Sequence, residues 1–171
     1  LLWLVATLHD DVLRGERPAI DLLEPLPGLK IGFEVEPLGM LFALLASFLW
    51  LVTSVYSIGY LRSHHEWRQT SYYSFFAVAL GSSIGIAFAG NLFTLFIFYE
   101  LLTLSTDPLV THAGGDAARE GGRMYLGYLL GSSVILLLLA LVWTWSLTGT
   151  LDFRSGGILE DAVTPGIASM L

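Results

Sequence analysis

The sequence predicts an all-α fold, a polytopic transmembrane helix bundle with four complete spans and partial helices at both ends. Three observations predict it. The 171 residues are 54% apolar, with a mean hydropathy of +0.69. Only 13% are charged, about half the share of a soluble domain. The apolar residues collect in four runs, each near the roughly 20 residues of helix that cross a bilayer. The whole chain, residues 1–171, therefore reads as part of one transmembrane domain.

Composition also excludes several functions. Eight basic against fifteen acidic residues give a net charge of −7. That balance argues against a nucleic-acid partner and against a polybasic lipid-binding patch. There is no cysteine, so disulfides, thiolate metal sites, iron–sulfur clusters and cysteine nucleophiles are excluded. Any redox chemistry must belong to a partner.

Taken in order, Leu1 to Leu8 are almost wholly apolar, with no Met and no basic region ahead of them as a signal peptide would have. They read as the tail of a helix that starts earlier. Residues 9–37 hold seven acids and Pro18, Pro25 and Pro27, which break helices, and read as an extramembrane loop. Within it Leu29 to Val35 alternates apolar and polar, as a short strand or hairpin arm does.

The first span, about residues 38–60, carries no charge and ends in Tyr56 and Tyr60, rings suited to the membrane interface. A loop from Arg62 to Thr70 follows. The second span, about 71–89, has Gly81, Gly85 and Ala89 at spacing four, which lets another backbone approach and predicts an interior helix. Gly90-Asn91 reads as a tight turn, both residues tolerating positive φ. It leads to a third span over 92–110. A polar loop from Thr111 to Gly122 precedes the fourth, about 124–145, with Gly127 and Gly131 at spacing four and Trp143 and Trp145 near its end. Polar residues then run to Val163, and Thr164 to Leu171 reads as the start of a further helix.

Arg62, Arg68, Arg119 and Arg123 lie in or beside the two short loops, whereas Arg14, Arg17, Lys30 and Arg154 on the other side are diluted among acids. The positive-inside bias places the short loops in the cytoplasm. For a bacterial protein that means the inner, plasma membrane, with residues 9–37 on the opposite face.

Glu100 is the residue that asks for an explanation. It is ninth in the third span, near the bilayer midplane, where an ionised carboxylate facing lipid costs a few kcal/mol. A carboxyl there changes its protonation when a nearby charge changes, which is what a proton relay needs. The bland alternative is a protonated Glu100 hydrogen-bonded across a helix interface. Thr103 at i+3 and Asp107 at i+7 lie close to the same face. Asp107 precedes Pro108, which removes an amide donor and loosens the preceding turn, so water could enter there. Asp107 could equally be a solvated residue at headgroup level. His112 could hand protons on, although a loop histidine is often merely exposed.

None of the four histidines lies inside a span, and the side chains of consecutive His64 and His65 diverge, so paired axial ligands for haem are not predicted. The expected cofactor and metal complement is none. No phosphate-binding, dinucleotide-binding, zinc-protease or serine-hydrolase pattern occurs.

The segments FEVEPLGMLFALL, VYSIGYLR, AGNLFTLFIFYELLTLSTDPLVTH, GGRMYLGYLLGSS and LTGTLDF resemble the antiporter-like membrane subunits. That family is shared by respiratory complex I (its L, M and N types), Mrp-type Na⁺/H⁺ antiporters and membrane-bound hydrogenases. The resemblance covers about residues 30–153 and is most specific from Asn91 to His112. It implies that Glu100 in FYELLTLS is the family's essential intramembrane glutamate, pairing with a lysine two helices later. The only lysine here is Lys30, so the resemblance implies a partner lysine beyond Leu171 and a chain that is a fragment. The implied partners are other subunits of a membrane complex and the bilayer, and the implied ions are H⁺ and, as a second candidate, Na⁺. Asp107 departs from the family, where an uncharged, often aromatic residue is expected. Two alternatives stay open: a structural scaffold without an ion path, and a membrane enzyme using lipid or quinone with Glu100 and His112 as acid and base.

Overall fold

A computed structural model describes residues 1–63, 68–112, 115–154 and 156–159. Helix α1 (Leu2–Leu13) leads into strands β1 (Ala19–Leu26) and β2 (Leu29–Glu34), and then into helices α2 (Pro37–Ser63), α3 (Gln69–Ala87) and α4 (Leu92–Val110). The last helical stretch is α5 (Asp116–Ser132), a π-helical segment over Ser133–Leu138, and α6 (Leu139–Thr148). His64, His65 and the expected helix start at Thr164 to Leu171 lie outside the described residues.

Residues 9–37 hold more regular structure than expected. α1 runs on to Leu13, because nothing breaks it before Gly15, whose φ of +85° turns the chain. The expected strand is β2, and it pairs antiparallel with β1, from Ala19 opposite Glu34 to Leu26 opposite Leu29. The prolines do exclude helix, yet Pro25 sits at a register shift of an edge strand, where a missing amide does no harm. Gly28, with φ +79°, closes the hairpin, and a Cβ there would meet the Gly149 carbonyl at 2.7 Å.

Among the described residues, three helical stretches are long and apolar enough to cross a membrane: Pro37–Ser63, Leu92–Val110 and Arg119–Thr148. α3 occupies the place of the second expected span, but the serines and tyrosines of its first turns leave it less apolar than those three. The fourth expected helix starts earlier than its apolar run. It begins at Asp116, an acid suited to a helix N-terminus, within the segment expected to be loop.

The packed interior is small and lies toward the hairpin. One cluster joins Val5, Val35, Met40, Ala43 and Ile84 from α1, α2, α3 and the segment after β2. The other joins Leu29, Leu141 and Leu151, with Phe96 and Trp145 against it. Only 22%, 17% and 11% of the three apolar windows are buried, so most of their side chains face outward, toward lipid or protein. The α2 and α4 helices both start beside the hairpin: Glu34 N–H donates to the Phe88 carbonyl, and Leu92 N–H to the Leu151 carbonyl. α3 therefore carries the chain back from the far end of α2.

The small-residue expectations hold in part. Gly85 lies against the Phe98 ring of α4, so a Cβ there would collide. Gly81, Gly127 and Gly131 face open space. Gly81 is thus not the interior contact its spacing suggested.

Candidate functional site

α4 begins at a dense polar junction. Asn91 is extended, at φ −156° and ψ 165°, and caps the helix by accepting from Thr94 N–H at 2.8 Å. Its Nδ2 donates to the Lys30 carbonyl at 3.0 Å. The Thr94 hydroxyl accepts from Gly32 N–H at 3.0 Å and donates to Asn91 Oδ1 at 3.0 Å. The turn before α4 is therefore made by capping and bridging, not by the positive φ expected of Gly90 and Asn91, since neither residue adopts one.

Above this junction Lys30 Nζ lies 3.2 Å from Asp21 Oδ2 and 3.7 Å from Asp152 Oδ2. The hydrogen bond that Lys30 donates to Asp21 holds its ammonium above the ordinary lysine pKa. Partial burial opposes that shift, and the Asp152 charge reinforces it. Sequence alone does not reveal this group, because its members are brought together by contacts between segments far apart in the chain.

Half-way along α4 the chemistry changes. Both carboxylate oxygens of Glu100 are buried, and neither has a hydrogen-bond partner among the described residues. Thr103, one turn on, is buried and gives its hydroxyl to the Tyr99 carbonyl at 3.0 Å. Asp107 is half-buried, and its carboxylate lies beside Gly122 of α5, where a Cβ would come within 3.2 Å of Oδ1. α4 continues through Pro108 to Val110. The hydroxyls of Ser105, Thr106 and Thr111 each donate to a carbonyl three or four residues back, which keeps those polar groups satisfied.

His112 is not simply exposed. Its ring packs on Tyr72 of α3 with centroids 5.4 Å apart, and its Nε2 is buried without a hydrogen-bond partner among the described residues. Along a helix rising about 1.5 Å per residue, Glu100 and Asp107 stand about 10 Å apart. No hydrogen bond joins Glu100, Asp107 and His112 among the described residues. Glu100 and Asp107 lie on α4 and His112 just beyond its end, as three separate polar positions.

A second feature absent from the sequence reading is the π-helical segment Ser133–Leu138, which separates α5 from α6 and contacts α4. Such segments interrupt the regular helical ladder and recur at functional sites. No group of three or more metal-ligating side chains occurs among the described residues.

Comparison with known proteins places these features in a family context. Residues 89–163 match the family described as "NADH:quinone oxidoreductase/Mrp antiporter, TM", so Glu100, Asp107 and His112 all lie inside the match. The chain is 27% identical over 153 residues to NADH-quinone oxidoreductase subunit N of Desulforudis audaxviator, covering 89% of this chain and 30% of that protein. It is 32% identical over 89 residues to the A-type Na⁺/H⁺ antiporter subunit of Alkalihalophilus pseudofirmus, covering 51% of this chain and 11% of that one. The fold matches a chain of the Mrp complex from Dietzia sp. DQ12-45-1b with a TM-score of 0.70 at 22% identity, covering 98% of this chain and 18% of that chain. The chain thus spans under a third of the length of the curated relatives it matches. The resemblance read from the sequence is borne out, and the apolar helices are those of an integral membrane segment.

Proposed function

We propose, for a chain similar to antiporter-like membrane subunits over most of its length, that it conducts protons as part of such a subunit in a complex I-like or Mrp-type assembly. Glu100 is the switchable carboxylate. The observation that carries this reading is its position: mid-helix in a span, with both oxygens buried and neither satisfied among the described residues. A buried carboxyl without partners has lost its hydration and gained nothing in return. It needs a cation, a water chain or a proton, and exchange among these is proton transfer.

In this reading a lysine supplied from outside residues 1–171 is the cation, drawing the proton off Glu100 as it approaches and returning it as it leaves. Asp107 and His112 extend the path toward the short-loop side, which is cytoplasmic, and water completes it. α3 is the fourth crossing in this reading, which the return of the chain to the hairpin supports. H⁺ is the coupled ion. Na⁺ is the second candidate, although the described residues gather no set of oxygen ligands for it. Other subunits of the complex supply the driving force, and the outward-facing Gly127 and Gly131 suit close approach by one of them.

The test is ion movement by the intact subunit in its complex, reconstituted in vesicles with a pH-sensitive dye. Glu100→Gln keeps the size and hydrogen-bonding capacity but cannot ionise, so proton movement should fall at least tenfold, about 1.4 kcal/mol or more of barrier. Glu100→Asp should retain part of the rate. Unchanged pumping in Glu100→Gln would move the function to the scaffold reading.

A further inference from the structure

Beside the hairpin ends of α2 and α3 lie two adjoining open grooves of opposite character. The first, about 570 Å³, is lined by Leu38, Leu41, Phe42 and Leu45 of α2 and by Ile86 and Ala87 of α3, with Glu36 at its mouth. Gly39 lets the α2 backbone close on the Ala87 carbonyl, where a Cβ would collide, so the two helices meet there. From Leu38 to Leu45 the apolar wall runs about 10 Å down the helix, at about 1.5 Å per residue. The second cavity, about 330 Å³, is lined by Arg17, Glu34, Glu36 and Arg154. Glu36 and Ala87 line both, so the charged chamber adjoins the apolar one.

The two sizes and their order fit an amphipathic ligand. Glu36 directly precedes the first residue of a membrane-crossing helix, which sets the charged chamber at headgroup level and the apolar groove below it, among acyl chains. Two guanidinium and two carboxylate groups sum to zero charge. Arg17 Nη1 holds Glu36 Oε1 at 3.2 Å and Glu34 Oε1 at 3.9 Å, with side chains 60%, 55% and 37% exposed. Exposed pairs of this kind are worth little and exchange partners readily. Arg154 has no ion pair among the described residues. Such a chamber matches a ligand that carries one anionic and one cationic group side by side.

We infer that this composite cavity is a phospholipid site selective for a zwitterionic headgroup with a primary ammonium, as in phosphatidylethanolamine. Arg17 and Arg154 take the phosphate, which suits the planar fork of guanidinium. Glu34 and Glu36 take the ammonium, whose three N–H donors can all be used. A quaternary choline group has no N–H to donate. An anionic glycerol headgroup offers the two carboxylates nothing to offset its charge. One acyl chain lies in the groove between α2 and α3. The inference needs only that these helices sit in a bilayer, and it is independent of proton transfer at Glu100.

The test is native mass spectrometry of the intact, delipidated protein titrated separately with dioleoyl phosphatidylethanolamine, phosphatidylcholine and phosphatidylglycerol. The ethanolamine lipid should be retained about fivefold better than the other two, a difference of about 1 kcal/mol. Replacing both acids, Glu34→Gln with Glu36→Gln, should erase that preference while leaving residual binding of all three. Ala87→Trp, which fills the groove, should lower retention of all three, and if it does not fold the acid pair decides alone. Equal retention of the three lipids by the unaltered protein, or a preference that survives loss of both acids, would overturn the assignment. Glu100→Gln should leave the lipid preference untouched.

Discussion

At its first turn α4 carries Asn91 and Thr94, both almost fully buried and both engaged: a cap, a bond to the Lys30 carbonyl, and a bond from Gly32. Half-way along the same helix Glu100 is buried with neither oxygen engaged among the described residues. The two regions share an element and a low-dielectric setting, yet resolve their polar groups in opposite ways. A buried polar group without a partner costs about 1–3 kcal/mol, more if charged. The chain satisfies that demand at Asn91 and Thr94 and leaves it open at Glu100. It also leaves it open at Ser47, Tyr73 and Trp145 among the described residues, but only at Glu100 is the open group a carboxyl in the middle of a span. In the proposed relay, that open demand is met by something that comes and goes.

Three predictions sharpen this contrast, in descending order of effect on stability. Asn91→Ala removes the cap, leaves the Thr94 amide without its acceptor and takes the nearer of two donors from the Lys30 carbonyl. It should lower stability by about 2–3 kcal/mol, measured as the unfolding midpoint in detergent, and a loss below about 0.5 kcal/mol would deny the junction its structural role. Gly85→Leu would force the Phe98 ring aside and should cost about 1–3 kcal/mol. Gly127→Leu, facing open space, should leave the isolated protein unchanged and weaken only assembly with partner subunits, seen as a shift in complex size on a gel-filtration column.

A modest, pH-dependent effect belongs to Lys30. Its folded pKa is raised above the unfolded value, so its stabilising contribution is fully present at neutral pH, below the unfolded pKa. That contribution is lost as the pH rises through the folded value. The side chain is 36% exposed, so the contribution is modest and screened by salt. Lys30→Met should flatten the alkaline limb of the stability profile. An unchanged alkaline limb would show that the Asp21 and Asp152 contacts contribute nothing.

Much of the fold is legible because membrane spans announce themselves through composition. The third expected span, 92–110, coincides with α4, and the first lies inside α2. Glu100 stands out for the same reason, as a lone acid in an apolar run. What stays hidden depends on contacts between distant segments. Strand β1 is exposed along its whole length and lacks alternation, so no period marks it. Asn91 reads as a turn residue, because its bond to Lys30 crosses 61 positions of sequence. The packing of His112 on Tyr72 is likewise set by how α3 meets the end of α4. The early start of α5 is hidden because Gly115 and Gly121-Gly122 resemble loop punctuation, while Asp116 and the residues after it favour helix.

The contrast within α4 reduces to a double dissociation between folding and transport. Unfolding midpoint and proton movement per folded molecule should be measured side by side for Glu100→Gln and Asn91→Ala in the reconstituted complex. The account predicts that Glu100→Gln melts like the unaltered protein but loses at least about tenfold in proton movement. It predicts that Asn91→Ala melts earlier yet moves protons at a normal rate per folded molecule. A Glu100→Gln protein that pumps normally, or whose loss of pumping is matched by loss of folding, would contradict it.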